Sequence, residues 1–284
     1  MLVTCLLPVA HAAEYNGFVC QKNSAGNYVI MDFKDYSATS VKIPEKINGI
    51  KVTAVGRGAF QQKNNITSIV IPATVSVISS MSFYGCKNLT SVTLSTTVKS
   101  IGSKAFAMCT KLKGINLKNV QTVGEHAFFG CKSLKTLKCG SALKVIGAYA
   151  FENCSSIDTF VQSPVLLYVG NYAFSGCSAL PSISFPNSVS YIGNSAFQNC
   201  KALQSVTFGS GALTIDSYAF ENCSGLTAVT IPNSVKSIGR CAFALRPANS
   251  TKFSHKITIT CSRYAPGMQY AKTHNVDTFV KELN

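Results

Sequence analysis

A phenylalanine returns every 23 residues through most of this chain, at Phe60, Phe83, Phe106, Phe128, Phe151, Phe174, Phe197, Phe220 and Phe243, with one spacing of 22. Its neighbours return with it. Val or Ile stands five residues before it in every copy, and Gly follows that residue in seven of nine. Ala precedes the Phe in eight of nine, Ser82 being the exception, and Cys stands three residues after it in seven: Cys86, Cys109, Cys131, Cys154, Cys177, Cys200 and Cys223. A unit this short cannot bury its own apolar positions and must stack on a copy of itself, so the pattern predicts a solenoid. The alternating segments "SVTL", "GINL", "SISF" and "AVTI" are expected to stack as short parallel strands with coils ~4.8 Å apart. The "VxxIG" segments read as a second short extended piece whose Gly allows a turn at positive φ. "AFxxC" reads as a tight turn or 3₁₀ piece, being too short for a stable helix.

The stretch "CSGLTAVTIPNSVKSIGRCAF" (223–243) resembles the unit of the BspA-type, or treponemal-type, leucine-rich repeat family, and the resemblance runs over about residues 41–260. It implies a leucine-rich repeat solenoid of ~23-residue coils with few helices. It also implies a secreted or cell-surface protein that binds host matrix proteins or other cells. Both open ends of such a core need caps. Residues 13–50, with "NYVIMDF" and an Asn48-Gly49 turn, suit an N-terminal hairpin and half-coil. Residues 51–260 carry the nine units, and 261–284 a C-terminal cap in which "PGMQYAKTHNV" (266–276) reads as a short amphipathic helix. The irregular "ALRPANSTKFSHK" separates the last unit from the final strand "ITITC".

The opening "MLVTCLLPVAHAAEY" has an apolar run and an Ala10-x-Ala12 spacing, read as a signal peptide over residues 1–12 although it lacks a basic start. "LVTC" is a poor lipobox, because Thr4 is large for the residue before the cysteine. No later stretch approaches the ~20 apolar residues of a membrane helix. With 26 basic against 11 acidic residues the chain carries +15, which suits an anionic partner.

Twelve cysteines in an exported chain would ordinarily suggest disulfides. The seven periodic ones occupy one position of the coil beside apolar residues, which reads instead as a ladder of buried thiols. Bridges between neighbouring coils are the alternative, and among the cysteines outside the register (Cys20, Cys139, Cys241, Cys261) the pairing to consider is Cys241 with Cys261. A row of single thiols does not converge as a zinc site requires, and no metal or cofactor is expected. His126, His255 and His274 have no catalytic spacing, no carboxylate occurs between Glu45 and Glu125, and nucleotide, serine-hydrolase and zinc-protease motifs are absent. The chain therefore reads as no enzyme.

Function then falls to the surface. Residues flanking or alternating with the buried strand positions form an outward face that is mostly hydroxyl, such as Thr67, Thr93, Ser184, Thr207 and Thr230, and that turns basic in the middle coils at Lys113, Lys118, Lys135 and Lys138. Lys111 and Lys132 lie at adjoining turns. A charge run can be simply a solvated face. It can also meet a sulfated glycan, an acidic matrix or surface protein, or another polyanion. No aromatic is seen to interleave with these lysines, which counts against nucleic acid. A monomer is expected. The remaining readings are a structural envelope protein without a ligand, or a scaffold for an enzyme on another chain. Asn-x-Ser/Thr at Asn65, Asn88, Asn153, Asn222 and Asn249 matters only in a host that glycosylates exported chains.

Overall fold

The computed structural model describes residues 12–211, 213–245, 257–262 and 265–273. The signal-like segment, the insertion after Leu245 and the chain beyond Thr273 lie outside the described residues, as do His255 and His274. The rest is a β-solenoid of about nine coils. Each coil has three sides: a two-residue strand at "VxxI", the turn through "AF", and the alternating strand.

One sheet runs the length of the molecule and is built from the short strands, such as Val77–Ile78, Ser100–Ile101, Thr122–Val123 and Tyr168–Val169, paired in parallel register. The alternating strands make a broken sheet of separate two- and three-stranded pieces, for example Gly114–Leu117 with Thr136–Cys139 and Thr159–Val161. The sequence expectation had put the main sheet on the alternating segments. The continuous one is instead where every coil has the same length from Val or Ile to Phe, which keeps that Val or Ile in register from coil to coil, as in Val55 with Ile78 and Ile215 with Ile238, even where the strand shifts before it at Leu213.

The glycine after the Ile also differs from expectation. Among the copies of this position, Gly56, Gly102, Gly124, Gly147, Gly170, Gly193 and Gly239 do not adopt positive φ. They let the coils close up: a Cβ at Gly102 would lie 2.6 Å from Ser80 N, and one at Gly170 2.5 Å from Ala148 N. Positive φ falls elsewhere, on two residues per coil that bracket the phenylalanine. Two before it stand Met81, Lys104, His126, Tyr149, Tyr172, Ser195 and Tyr218, and two after it Gly85, Met108, Gly130, Asn153, Gly176, Asn199 and Asn222, all with φ between 53° and 74°.

This left-handed alternation points the phenylalanine N–H along the axis. Phe60 N–H donates to Ser82 O at 2.7 Å, Phe128 to Ala150 O at 2.7 Å and Phe220 to Ala242 O at 2.7 Å, forming a ladder beside the sheets. Tyr149 N–H to Asn171 O at 2.8 Å and Asn153 N–H to Ser175 O at 2.8 Å extend it on either side. Left-handed non-glycine residues cost of order 1 kcal/mol or more each, and these paired amides are what offsets it.

Inside, the nine phenylalanines stack face to face from Phe60 to Phe243, with centroids 5.0–5.4 Å apart. Ala59, Ala105, Ala127 and their equivalents are fully buried beside them; Ser82 is buried too. The ring column continues into both ends. Phe18 and Phe33, on the antiparallel hairpin Phe18–Lys22 and Tyr28–Phe33, pack on Phe60, and Tyr270, on the helix Pro266–Thr273, meets Phe243 edge-on at 5.8 Å. The Asn48-Gly49 turn, with both φ positive, joins Lys46–Ile47 to Ile50–Val55, the pattern of a two-residue hairpin.

Candidate binding surface

The thiols were the residues with most chemical potential, and the structure gives them a structural task. Every described cysteine is buried and unbonded to another, Cys241 and Cys261 included. Each periodic Sγ–H donates to the carbonyl of the phenylalanine in the preceding coil: Cys86 to Phe60 O at 2.9 Å, Cys109 to Phe83 O at 3.1 Å, Cys154 to Phe128 O at 3.1 Å and Cys223 to Phe197 O at 3.1 Å. That carbonyl already accepts the backbone N–H of the residue three further on in its own coil, as in Cys109 N to Phe106 O at 3.1 Å and Lys63 N to Phe60 O at 3.2 Å. The thiol therefore fills the second lone pair of a buried carbonyl. Burial pushes Cys86 up to about 12, and Cys109, Cys131, Cys154, Cys177 and Cys200 upward as well. These thiols are held protonated, the opposite of an activated nucleophile.

His126 stands in the left-handed column before the phenylalanines. Its ring stacks on Tyr149 at 4.6 Å, and Tyr149 on Tyr172 at 5.0 Å. Its Nδ1 lies 3.2 Å from Glu125 Oε1, and burial lowers its pKa, opposed by Glu125 and assisted by Lys104. A second stack joins Tyr168 to Tyr191 at 5.0 Å, with the Tyr191 hydroxyl donating to Asp216 at 2.7 Å; burial first, then Asp216, push this phenol up to about 12. In both stacks the rings face each other along the axis, leaving edges to solvent. Among the described residues no group of three or more His, Cys, Asp or Glu is placed to hold a metal ion, and no helix is long and apolar enough to cross a membrane.

The six predicted lysines are all exposed, but they do not form one cluster. Lys113 and Lys135 are adjacent rungs of one column, Lys135 N–H donating to Lys113 O at 2.9 Å. Lys138 stands on the outward face of its strand opposite Asn116, and Lys118 just past the end of the neighbouring strand. This group ends at the next coil, where Asp158 takes the same column and lies 3.6 Å from Lys135 Nζ. Lys111 and Lys132 belong to the turn side. Lys132 lines a depression of about 540 Å³ with Met108, Phe129, Gly130, Asn153 and Ser155, so an aromatic does neighbour one of these lysines. The missed signal was in the sequence: "FYGCK" (83–87) and "FFGCK" (128–132) place an aromatic, a glycine and a lysine at the same offsets.

Comparison with known proteins agrees with this geometry. The family described as BspA type Leucine rich repeat region matches in six copies over residues 53–179 and 146–265. Among solved structures, the chain is similar to a leucine rich cell surface protein from Faecalibacterium prausnitzii A2-165, with 26% identity and a TM-score of 0.68 over 82% of this chain and 73% of that one. It is also similar to the leucine rich repeat protein of T. pallidum, with 18% identity and a TM-score of 0.48 over 96% of this chain and 100% of the other. A third likeness is to a leucine-rich repeat protein from Bacteroides ovatus, with 20% identity and a TM-score of 0.40 over 96% and 97% of the two chains. Among curated proteins nothing matches. With the family pattern spanning well over half of its length, the chain belongs to the BspA-type leucine-rich repeat family.

Proposed function

We propose that this protein is exported through its signal-like residues 1–12 and acts outside the cell, as a monomeric, non-enzymatic binding module for an anionic matrix protein, surface protein or glycan. The observation that carries the reading is the basic block on the outward face, Lys113, Lys118, Lys135 and Lys138, in a chain of net charge +15. The cell-surface description of the Faecalibacterium relative supports the location. The capping ends and the repeats between them form one binding unit in this reading, and the hydroxyl-rich coils on either side are a neutral continuation of the same face.

Such contacts are made by exposed ammonium groups, screened over ~8 Å at physiological ionic strength. Retention on heparin and binding to immobilised matrix proteins should fall steeply with salt. Replacing the four lysines with Ser, the residue that stands in the column of Lys138 at Ser184 and in that of Lys118 at Ser95, should abolish binding with no change in unfolding midpoint. Unchanged retention by the quadruple variant would make the lysines a solvated face only.

A further inference from the structure

On the turn side, away from the lysines of the outward sheet, two depressions share Met108 as a common wall. One, of about 430 Å³, includes Tyr84, Gly85 and Lys87 in its lining; the other, of about 540 Å³, includes Phe129, Gly130 and Lys132. These are the two "aromatic-Gly-Cys-Lys" turns, two coils apart with the coil of Met108 between them, so the same half-site occurs twice on one groove. The glycines take positive φ, +70° in both, in the column that holds Asn153, Asn199 and Asn222 in later coils; a Cβ would lie 3.3 Å from Gln62 Cγ at Gly85 and 2.8 Å from Met108 Sδ at Gly130, so a side chain at either position would press on the wall of its depression. Both aromatics are partly exposed, both lysines are exposed, and no carboxylate lines either depression.

The distance between the half-sites decides what fits. Two rungs separate them, at 5.0 and 5.2 Å on the phenylalanine ladder, giving a repeat of about 10 Å along the axis. A β-strand puts residues three apart on opposite faces. A polyproline II helix has three residues per turn and rises ~3.1 Å per residue, so residues three apart share a face ~9.3 Å apart. Aromatic-lined grooves are a recurring receptor for that conformation. The apolar walls of Met108 and Phe129 suit an aliphatic side chain better than a hydroxyl-covered sugar, and the lysines supply the charge for a carboxylate beside it.

We propose that this groove binds an acidic peptide segment in polyproline II conformation, with aliphatic residues three apart seated against Tyr84 and Phe129 and flanking carboxylates meeting Lys87 and Lys132. It is a site distinct from the lysine face of the outward sheet, and its test is independent of that reading. The probe is the fluorescent peptide acetyl-Glu-Leu-Pro-Glu-Leu-Pro-Glu-amide, read by anisotropy at low salt. Its control has the same composition with leucines two apart, Glu-Leu-Pro-Leu-Glu-Pro-Glu. The probe should bind at least about tenfold more tightly than the control, a difference of ~1.4 kcal/mol. Lys87→Ser with Lys132→Ser, and separately Gly85→Asn with Gly130→Asn, should each weaken it at least about tenfold. The lysine pair is the safer variant for folding, since Ser155 and Ser178 occupy that column in later coils. The variant lacking the four sheet lysines should bind the probe as the parent does. Equal binding of the two peptides, indifference to the Lys87/Lys132 substitutions, or loss in the sheet variant would overturn the proposal. Displacement by a heparin-derived hexasaccharide with the same dependence on Lys87 and Lys132 would assign the groove to glycan and overturn the peptide.

Discussion

Raising the pH should destabilise this protein through its thiols. Cys86, Cys109, Cys131, Cys154, Cys177 and Cys200 are at most 1% exposed, and burial holds each above its ordinary pKa. A group whose folded pKa is raised contributes stability that is fully present below its unfolded pKa and is lost as pH rises toward the folded value. For a cysteine the loss therefore begins near 8.5. While the native thiols remain protonated, the cost per thiol depends on the unfolded pKa alone: about 0.4 kcal/mol at pH 8.5 and about 1.4 kcal/mol at pH 9.5. The five held furthest up, Cys86, Cys109, Cys131, Cys177 and Cys200, should together remove roughly 7 kcal/mol of unfolding free energy between about pH 7 and 9.5, comparable to the 5–15 kcal/mol typical of a folded domain. The assay is urea unfolding followed by circular dichroism at these pH values, under argon with a phosphine reductant, beside thiolate absorbance of the native protein. Equal stability at both ends of the range, or thiolate appearing in the folded protein near pH 9, would refute the buried protonated ladder.

Phe151→Ala removes a fully buried ring stacked between Phe128 and Phe174 and should cost about 3–5 kcal/mol in denaturant unfolding; a variant as stable as the parent would contradict the stacked core. Tyr270→Phe removes the hydroxyl that accepts Phe243 N–H at 3.0 Å and leaves a buried donor unpaired. Amide exchange at Phe243 should then report an opening free energy lower by about 1–3 kcal/mol, while the first coils keep their protection.

The coil was legible because its core positions recur: the nine phenylalanines, the Val or Ile five before each and the Ala beside eight of them are buried as their period implies, with Ile238 in the last coil half-buried. Their polar partners were harder to read. The cysteine looked like a small apolar residue, and only the geometry of the preceding coil shows the carbonyl it serves. The Gly or Asn before six of the seven periodic cysteines is a left-handed signal plain in the sequence, at Gly85, Gly130, Gly176, Asn153, Asn199 and Asn222. The matching column before the phenylalanine carries a glycine in the first coil alone, at Gly58. Its Lys104 and three tyrosines have no preference for positive φ, and the conformation there follows from hydrogen bonds to another coil. The candidate surface was half legible: the lysines were found by charge, but pairing Lys132 with Phe129 required knowing that the turn residues share one groove.

The two ends of the solenoid differ because its ladders have opposite polarity. At the short strands the donor lies in the later coil, as in Gly102 N–H to Ile78 O at 2.8 Å, whereas at the phenylalanine the donor lies in the earlier one. The first coil therefore needs an acceptor beside its short strand, and a strand can supply one: Gly56 N–H meets Ile30 O at 2.7 Å on the capping hairpin. The last coil needs an acceptor beside its turn, where no further coil among the described residues offers a carbonyl. A side-chain hydroxyl brought in on a helix meets that need at Phe243, and Tyr270 adds an aromatic edge to the ring column at the same point. A hairpin at one end and a tyrosine-bearing helix at the other are thus what buried amides of opposite direction require, whatever the outer faces of the coils are used for.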